Sequence, residues 1–194
     1  GQIVYFLLNQ LQELAFSSSI VLTAGATATR AADICAVTGS NFGKWFNPWT
    51  GTFAASCVRS TRGGSTGVAL SWGQTGNFNN SMYLTNTAST VDGIQYYTNT
   101  NGVAQGAIAV AATNLTAGVK IAASYAPNNA ILAASNIVAP PDNIFSVPFA
   151  DRLVIGGDSW SNGNAWMGEF EWIRYWQQDA DPKMVQYLTS NIYD

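Results

Sequence analysis

The sequence predicts an all-β domain, an antiparallel sandwich or barrel followed by one short helix near its C-terminal end. Three observations carry that prediction. Short runs rich in β-branched, aromatic and small residues recur at a spacing of about 8–12 residues. Clusters of Gly, Asn, Pro and Ser separate them, among them 75-TGNFNN-80, 126-APNN-129, 139-APPDN-143 and 159-SWSNGN-164, which are turn-forming compositions. Only one late segment carries the start signals of a helix.

Taken in order, 3-IVYFLLNQLQELAF-16 sets Phe6, Leu7, Gln10, Leu11 and Leu14 at helical spacing, although IVYFLL reads equally well as a strand. The expected strands are 53–58, 67–72, 81–87, 93–98, 106–111, 118–125, 129–135, 152–157 and 167–176. Alternation is clearest in 118-GVKIAASY-125, where Val119, Ile121 and Ala123 share a face. In 169-EFEWIRYW-176 the same rule groups Phe170, Trp172 and Trp176 on one side, interrupted by Arg174, with Glu169, Glu171, Ile173 and Tyr175 on the other. For the helix, Asp181 stands as N-cap and Pro182 at the first helical position, and Met184, Val185 and Leu188 follow at contact spacing.

Charged residues make up 10% of the chain, with a net charge of −3 and no His. The acidic balance gives no electrostatic footprint for nucleic acid. No apolar run approaches the length of a membrane-spanning helix, so no membrane insertion is expected. The opening IVYFLL is too short for a signal peptide and lacks a basic flank. A first residue Gly1 rather than Met is expected of a processed chain or a segment of something longer.

Without His, Ser-His-Asp and Cys-His devices and His-ligated zinc are excluded. The stretch 39-GSNFGK-44 has too few residues between its glycines for a phosphate loop, and Trp45 stands where Ser or Thr is required. No dinucleotide fingerprint is present, and no cofactor is expected. Asp142, Asp151 and Asp158 read as turn carboxylates rather than calcium ligands, because no dense ligand run surrounds them. Cys35 and Cys57 read as buried thiols, with a cross-strand disulfide as the alternative. Glu169 and Glu171, two apart on one strand, have the spacing of a glycosidase carboxylate pair and also that of an ordinary solvated strand face. No catalytic residue and no metal ligand is assigned.

The aromatics have the better claim to function. Trp160 and Trp166 bracket 158-DSWSNGNAW-166, a polar loop between two strands. Rings that stack on a pyranose and amides or carboxylates that bond its hydroxyls are the materials of a sugar site. The candidate ligand contacts are therefore Asp158, Trp160, Asn162, Asn164 and Trp166, against the plainer alternative that a Trp covers a sheet edge. Trp49, beside Pro48, is the secondary candidate, whereas Trp45 and Phe46 are expected to anchor the sandwich.

The segment 29-TRAADICAVTGSNFGKWFNPWTGTFAASCV-58 resembles a recurrent module of bacteriophage tail and virion proteins. These are concanavalin A-like (laminin-G-like) jelly rolls whose entry reads TRAAD, a short strand, TG.NF..WFN, then GT. The closing part is similar: 152-RLVIGG-157, a loop, 167-MGEFEWIRYW-176 and a terminal helix. Upstream, 10-QLQELAFSSSIVLT-23 resembles the end of a preceding module, keeping Gln10, Leu11, Phe16, Ser18 and Thr23 and departing at Gln12, Leu14 and Leu22. The resemblance implies a connector or module end over 1–28 and an antiparallel jelly-roll β-sandwich over 29–194. It further implies a non-catalytic protein of the virion, in its tail or on its surface, binding host-surface polysaccharide or packing within a fibre. Trimeric assembly and contacts with other virion proteins follow from the same resemblance. A chain 47% hydrophobic with so little charge independently suggests a homo-oligomer. A purely structural assembly module and a glycan-cleaving sandwich enzyme are the alternatives.

Overall fold

A computed structural model describes residues 35–59, 66–86, 93–111 and 114–190. The readings made for 1–28, for the helix or strand over 3–16 and for TRAAD lie outside the described residues. The elements run in chain order as β1 (Cys35–Thr38), α1 (Gly39–Gly43), β2 (Gly51–Arg59), β3 (Val68–Gln74), β4 (Asn77–Asn86), β5 (Gly93–Thr100) and β6 (Val103–Ala111). There follow β7 (Val119–Ala126), β8 (Asn129–Ala134), β9 (Ile137–Val138), β10 (Arg152–Ile155), β11 (Gly168–Trp176) and α2 (Pro182–Leu188).

The strands form two antiparallel sheets, a six-stranded one in the order β1-β10-β3-β4-β5-β6 and a five-stranded one in the order β11-β2-β7-β8-β9. All nine segments expected as strands are strands. The short helix α1 and the two-residue β9 are additions, and α1 occupies the stretch whose glycines resembled a phosphate loop.

Each sheet turns one face inward, and alternation decides which residues go there. Phe53, Ala55 and Cys57 of β2 meet Trp72, Met82, Leu84 and Tyr96 of the opposite sheet in one continuous core. Val119, Ile121 and Ala123 lie in it as expected. At its centre, Phe53 and Trp72 pack with ring centroids 4.2 Å apart. The crossover after α1 closes one end: Phe42 stacks on Phe46 at 4.4 Å, and Trp45 meets Tyr175 edge-on at 5.1 Å. A polar triangle pins it there. The Tyr125 hydroxyl donates to the Asn47 carbonyl at 2.7 Å, the Asn47 amide donates to Tyr175 Oη at 2.9 Å, and the two phenols lie 3.0 Å apart.

β11 departs from plain alternation. Its pairing with β2 slips between Phe170, opposite Cys57, and Trp172, opposite Ser56, so Glu171 is a bulged extra residue. Upstream of the bulge Phe170 faces the core; downstream it is Ile173 and Tyr175 that do so. The expected grouping of Phe170 with Trp172 and Trp176 is therefore corrected: Trp172 and Trp176 lie on the outer face. There α2 covers the sheet, with Val185 and Leu188 against Ala54, Ala122, Ile131 and Ala133. The helix starts as the sequence specifies, the Asp181 carboxylate accepting from the Met184 amide at 2.8 Å.

The cysteine reading holds for Cys57 and is corrected for Cys35. Both are free, Cys57 in the core of one sheet and Cys35 exposed on the edge strand of the other. β1 is too short and too marginal in its sheet to cover its own side chains.

Candidate functional site

The loop between β10 and β11 folds back over the outer face of the six-stranded sheet. Asp158 is the post around which it turns. Its carboxylate is fully buried and accepts from the Ser161 amide at 2.5 Å, from the Ser161 hydroxyl and from the Asn164 side-chain amide at 2.9 Å. Charge-assisted bonds of this kind are among the stronger ones available to a loop. Asn162 and Asn164 adopt left-handed backbone, φ 60° and 48°, which Asn tolerates better than most residues. The buried Arg152 guanidinium donates to the Asn162 side-chain oxygen, and the Asn164 carbonyl accepts from the Val68 amide at 2.8 Å. Beneath the loop, the Ser71 hydroxyl of β3 receives the Ser159 amide at 3.0 Å and lies 2.9 Å from its hydroxyl. That pair draws the following residue, Trp160, down onto the sheet.

Trp160 lands among aromatic side chains of β4 and β5. Tyr83 and Tyr97 are cross-strand partners whose rings stack 5.4 Å apart at an interplanar angle of 20°. Trp160 meets Tyr83 edge-on at 5.0 Å and Phe78 edge-on at 4.9 Å. Phe78 is 45% exposed, and Trp160, Tyr83 and Tyr97 are half-buried. The register places Ala107 of β6 opposite Tyr97, so a methyl group alone stands on the side of that ring away from Tyr83. Gln95 and Asn99 lie two residues to either side of Tyr97 on the same face of β5. Burial, with the neighbouring Tyr97 phenol reinforcing it and a hydrogen bond with Asn99 opposing it, pushes the Tyr83 phenol up to about 12. It therefore stays neutral and able both to donate and to accept. Four rings rimmed by amides and phenols can stack on apolar faces of a ligand and bond its hydroxyls.

The sequence-derived site residues separate here into roles. Trp160 joins these rings, whereas Asn162 and Asn164 are exposed on the same loop with their side chains engaged by Arg152 and Asp158. Trp166 is not at the surface: it is 1% exposed, part of the core, and its Nε1 donates to the Val58 carbonyl at 3.1 Å. The buried Arg59 lies 5.8 Å above its ring and donates through Nε to its carbonyl at 3.3 Å. Trp166 is thus corrected from loop platform to core side chain, because the next strand's entry carries it beneath β2. Asp158 likewise holds the loop from inside. Phe78, Tyr83 and Tyr97 were missed, although Tyr83 and Tyr97 carried a signal, since they alternate away from Met82, Leu84 and Tyr96. Phe78 is in phase with Met82 and reaches the outer face only past the irregularity in the β3–β4 pairing.

Trp49 faces outward at 70% exposure, in a groove of about 400 Å³ that includes Pro48, Phe145, Pro148 and Phe149. It stands apart from the loop candidates. On the outer face of the five-stranded sheet, Glu171 borders a polar cleft of about 790 Å³ with Ser56, Lys120 and Asn136. Ser56 donates to the Glu171 carboxylate at 2.9 Å; Glu169 does not line this cleft. Asp142 and Asp151 accept from loop groups, Asp142 from the Ile144 amide and Asp151 from the Thr75 amide and hydroxyl. Among the described residues no three His, Cys, Asp or Glu side chains gather as metal ligands, and no helix is long and apolar enough to cross a membrane.

No protein-family model matches this chain, and no curated protein matches it. Solved structures do. The Ruminococcus gnavus IT-sialidase CBM40 superimposes with a TM-score of 0.60 at 17% identity, covering 74% of this chain and 84% of that one. That module is also seen bound to α2,3- and α2,6-sialyllactose. The NanB sialidase from Streptococcus pneumoniae gives a TM-score of 0.62 at 10% identity, over 79% of this chain and 26% of that one. Tailspike protein 2 of the Escherichia coli O157:H7 bacteriophage CAB120 gives 0.55 at 17% identity, over 75% of this chain and 23% of that one. At such identities the likeness is one of architecture: the chain is an all-β, two-sheet antiparallel sandwich of the kind found in these proteins.

Proposed function

We propose that this chain is a non-catalytic glycan-binding module carried on a phage particle, in its tail or on its surface. The observation that carries the reading is the set of rings on the outer sheet face, exposed Phe78 and half-buried Trp160, Tyr83 and Tyr97, beside a loop held by buried Asp158. A pyranose stacks on Trp160 or on the open side of Tyr97, with Gln95 on the same face and the exposed Asn162 and Asn164 of the same loop as candidate partners for its hydroxyls. The sandwich architecture shared with a sialidase carbohydrate-binding module supports the binding class. The resemblance in sequence to phage virion modules and the tailspike neighbour support the location.

The test is intrinsic-fluorescence titration with α2,3-sialyllactose and a panel of bacterial surface polysaccharides. At least one probe should bind, and Trp160→Ala with Tyr97→Ala should weaken it by about 10-fold or more, as expected from two lost stacking contacts. Unchanged affinity in that double variant, or no binding across the panel, sinks the proposal. The polar cleft beside Glu171 keeps glycan cleavage as a second reading. Under the binding-module reading, Glu169→Gln with Glu171→Gln leaves binding intact and abolishes no cleavage activity; loss of a measurable polysaccharide cleavage in that variant would establish the enzyme instead.

A further inference from the structure

We propose that β6 is a self-association edge, through which two copies of this chain join side by side into one continuous sheet. The observation is a contrast among the four sheet edges. An exposed edge strand offers unpaired backbone amides and carbonyls to any other strand, and proteins usually blunt it with shortness, charge or a bulge. Three of the four edges here are blunted. β1 has four residues and β9 two. β11 is bulged at Glu171 and carries Glu169, Glu171 and Arg174.

β6 lacks these protections over most of its length. It has nine residues and no proline, and among the described residues it pairs on one side only, with β5. No charged residue occurs anywhere between Asp92 and Lys120. Its one irregularity, between the pairs Thr98–Gly106 and Asn99–Ala104, is confined to the strand's first part and leaves Gly106–Ala111 unbroken. Ile108 and Val110 point into the core, whereas Ala107, Ala109 and Ala111 are exposed. The loop Ala139–Asn143 borders Ala107–Ala109 along a groove of about 360 Å³ and touches the strand at Gly106 through the Asp142 carboxylate, so Ala109 and Ala111 are the freer part of the edge.

The uncharged strand argues for a second copy as the partner. When a strand pairs antiparallel with itself about a twofold axis, like residues near the axis come face to face, and like charges there would repel. Here alanine meets alanine. The interface is isologous and closes at two, because each copy spends the one unblunted edge among its described residues. A twofold axis perpendicular to the sheet keeps both outer faces on the same side. Three strand spacings then separate the two copies' β5 strands, so their Tyr97 rings lie at least about 14 Å apart. This association does not depend on what those rings bind.

The experiment is the mass of the full chain by light scattering and sedimentation at micromolar concentrations, for wild type and for Ala109→Lys/Ala111→Lys and Ala109→Glu/Ala111→Glu. Wild type is expected at twice the 20.6 kDa chain mass. Each charged variant is expected at the monomer mass with its far-UV circular dichroism unchanged, and a 1:1 mixture of the two returns to the double mass. Hydrogen exchange should show Gly106–Ala111 amides protected in wild type and released in the Lys variant. A monomeric wild type overturns the proposal. So does a threefold mass, or a double mass that the Lys pair leaves intact.

Discussion

Replacing Trp166 by alanine separates the two tryptophans of the β10–β11 loop most sharply. The side chain is 1% exposed and sits between the core and Arg59, so removing it leaves a large cavity. Trp→Ala in a core costs about 3–5 kcal/mol. The Val58 carbonyl also loses the indole donor, which adds about 1 kcal/mol or more. For a domain of this size each kcal/mol is worth roughly 2–4 °C, so the melting temperature should fall by about 10–20 °C. Trp166→Phe keeps most of the volume and loses only the N–H, so its loss should be closer to about 1–3 kcal/mol. Trp160→Ala removes a half-buried ring from the surface, and its cost should be at most about half that of Trp166→Ala. Thermal unfolding followed by far-UV circular dichroism reads all three. If Trp166→Ala melts within a degree or two of wild type, or Trp160→Ala falls as far, the division of the loop into one core ring and one surface ring is refuted.

Gly168 starts β11 so close to β2 that a Cβ there would run into the Val58 carbonyl oxygen. Gly168→Ala should therefore cost several kcal/mol in a urea titration, on the order of a severe overpacking change, whereas Gly43→Ala, with nothing within 4 Å, should shift the midpoint little. Exposed Cys35 should react with a thiol reagent in the native protein at neutral pH, and Cys57, whose thiol burial pushes up to about 12, should react only on unfolding. Equal labelling of both in native protein would contradict the burial. At alkaline pH the fold holds Cys57 and Tyr83 neutral, both pushed up to about 12, while the unfolded chain ionises them near 9 and 10. Their stabilising contribution is complete below about pH 9 and is lost as pH rises through about 12. A denaturant midpoint that stays level from pH 9 to 12 would count against it.

Much of the fold was legible because strand alternation and turn chemistry are local. The nine expected strands and the Asp181–Pro182 helix start needed no knowledge of their partners. Faces were legible only where the period held. In β11 a single surplus residue, Glu171, moves Trp172 and Trp176 to the outer face, and nothing local announces it, because a bulge is settled by how two strands pair. The site divided in the same way. Trp160 and the Asn-rich loop stood out by composition, whereas Tyr83 and Tyr97 become a stack only through the register of β4 and β5. Trp166 was misplaced because a Trp at the end of a polar loop looks the same whether the strand behind it enters the core or skirts it. Cys35 shows the converse error: an apolar run fixes a strand, but not whether a neighbour covers it.

The bulge at Glu171 also acts as a frameshift in the side-chain pattern of β11. Residues before it and after it obey the same inside-outside rule in opposite phase, so each half is correct only with the shift between them. A one-residue deletion at Glu171 would put Phe170 in phase with Ile173 and Tyr175, so plain alternation would then serve the whole strand, whereas a deletion anywhere else in it would leave the shift uncompensated. Splicing this strand with that of another sandwich would preserve the core and the α2 face only if both parents carried the shift at the same place. For β11 the inherited unit is thus the phase of the strand as much as the residues in it.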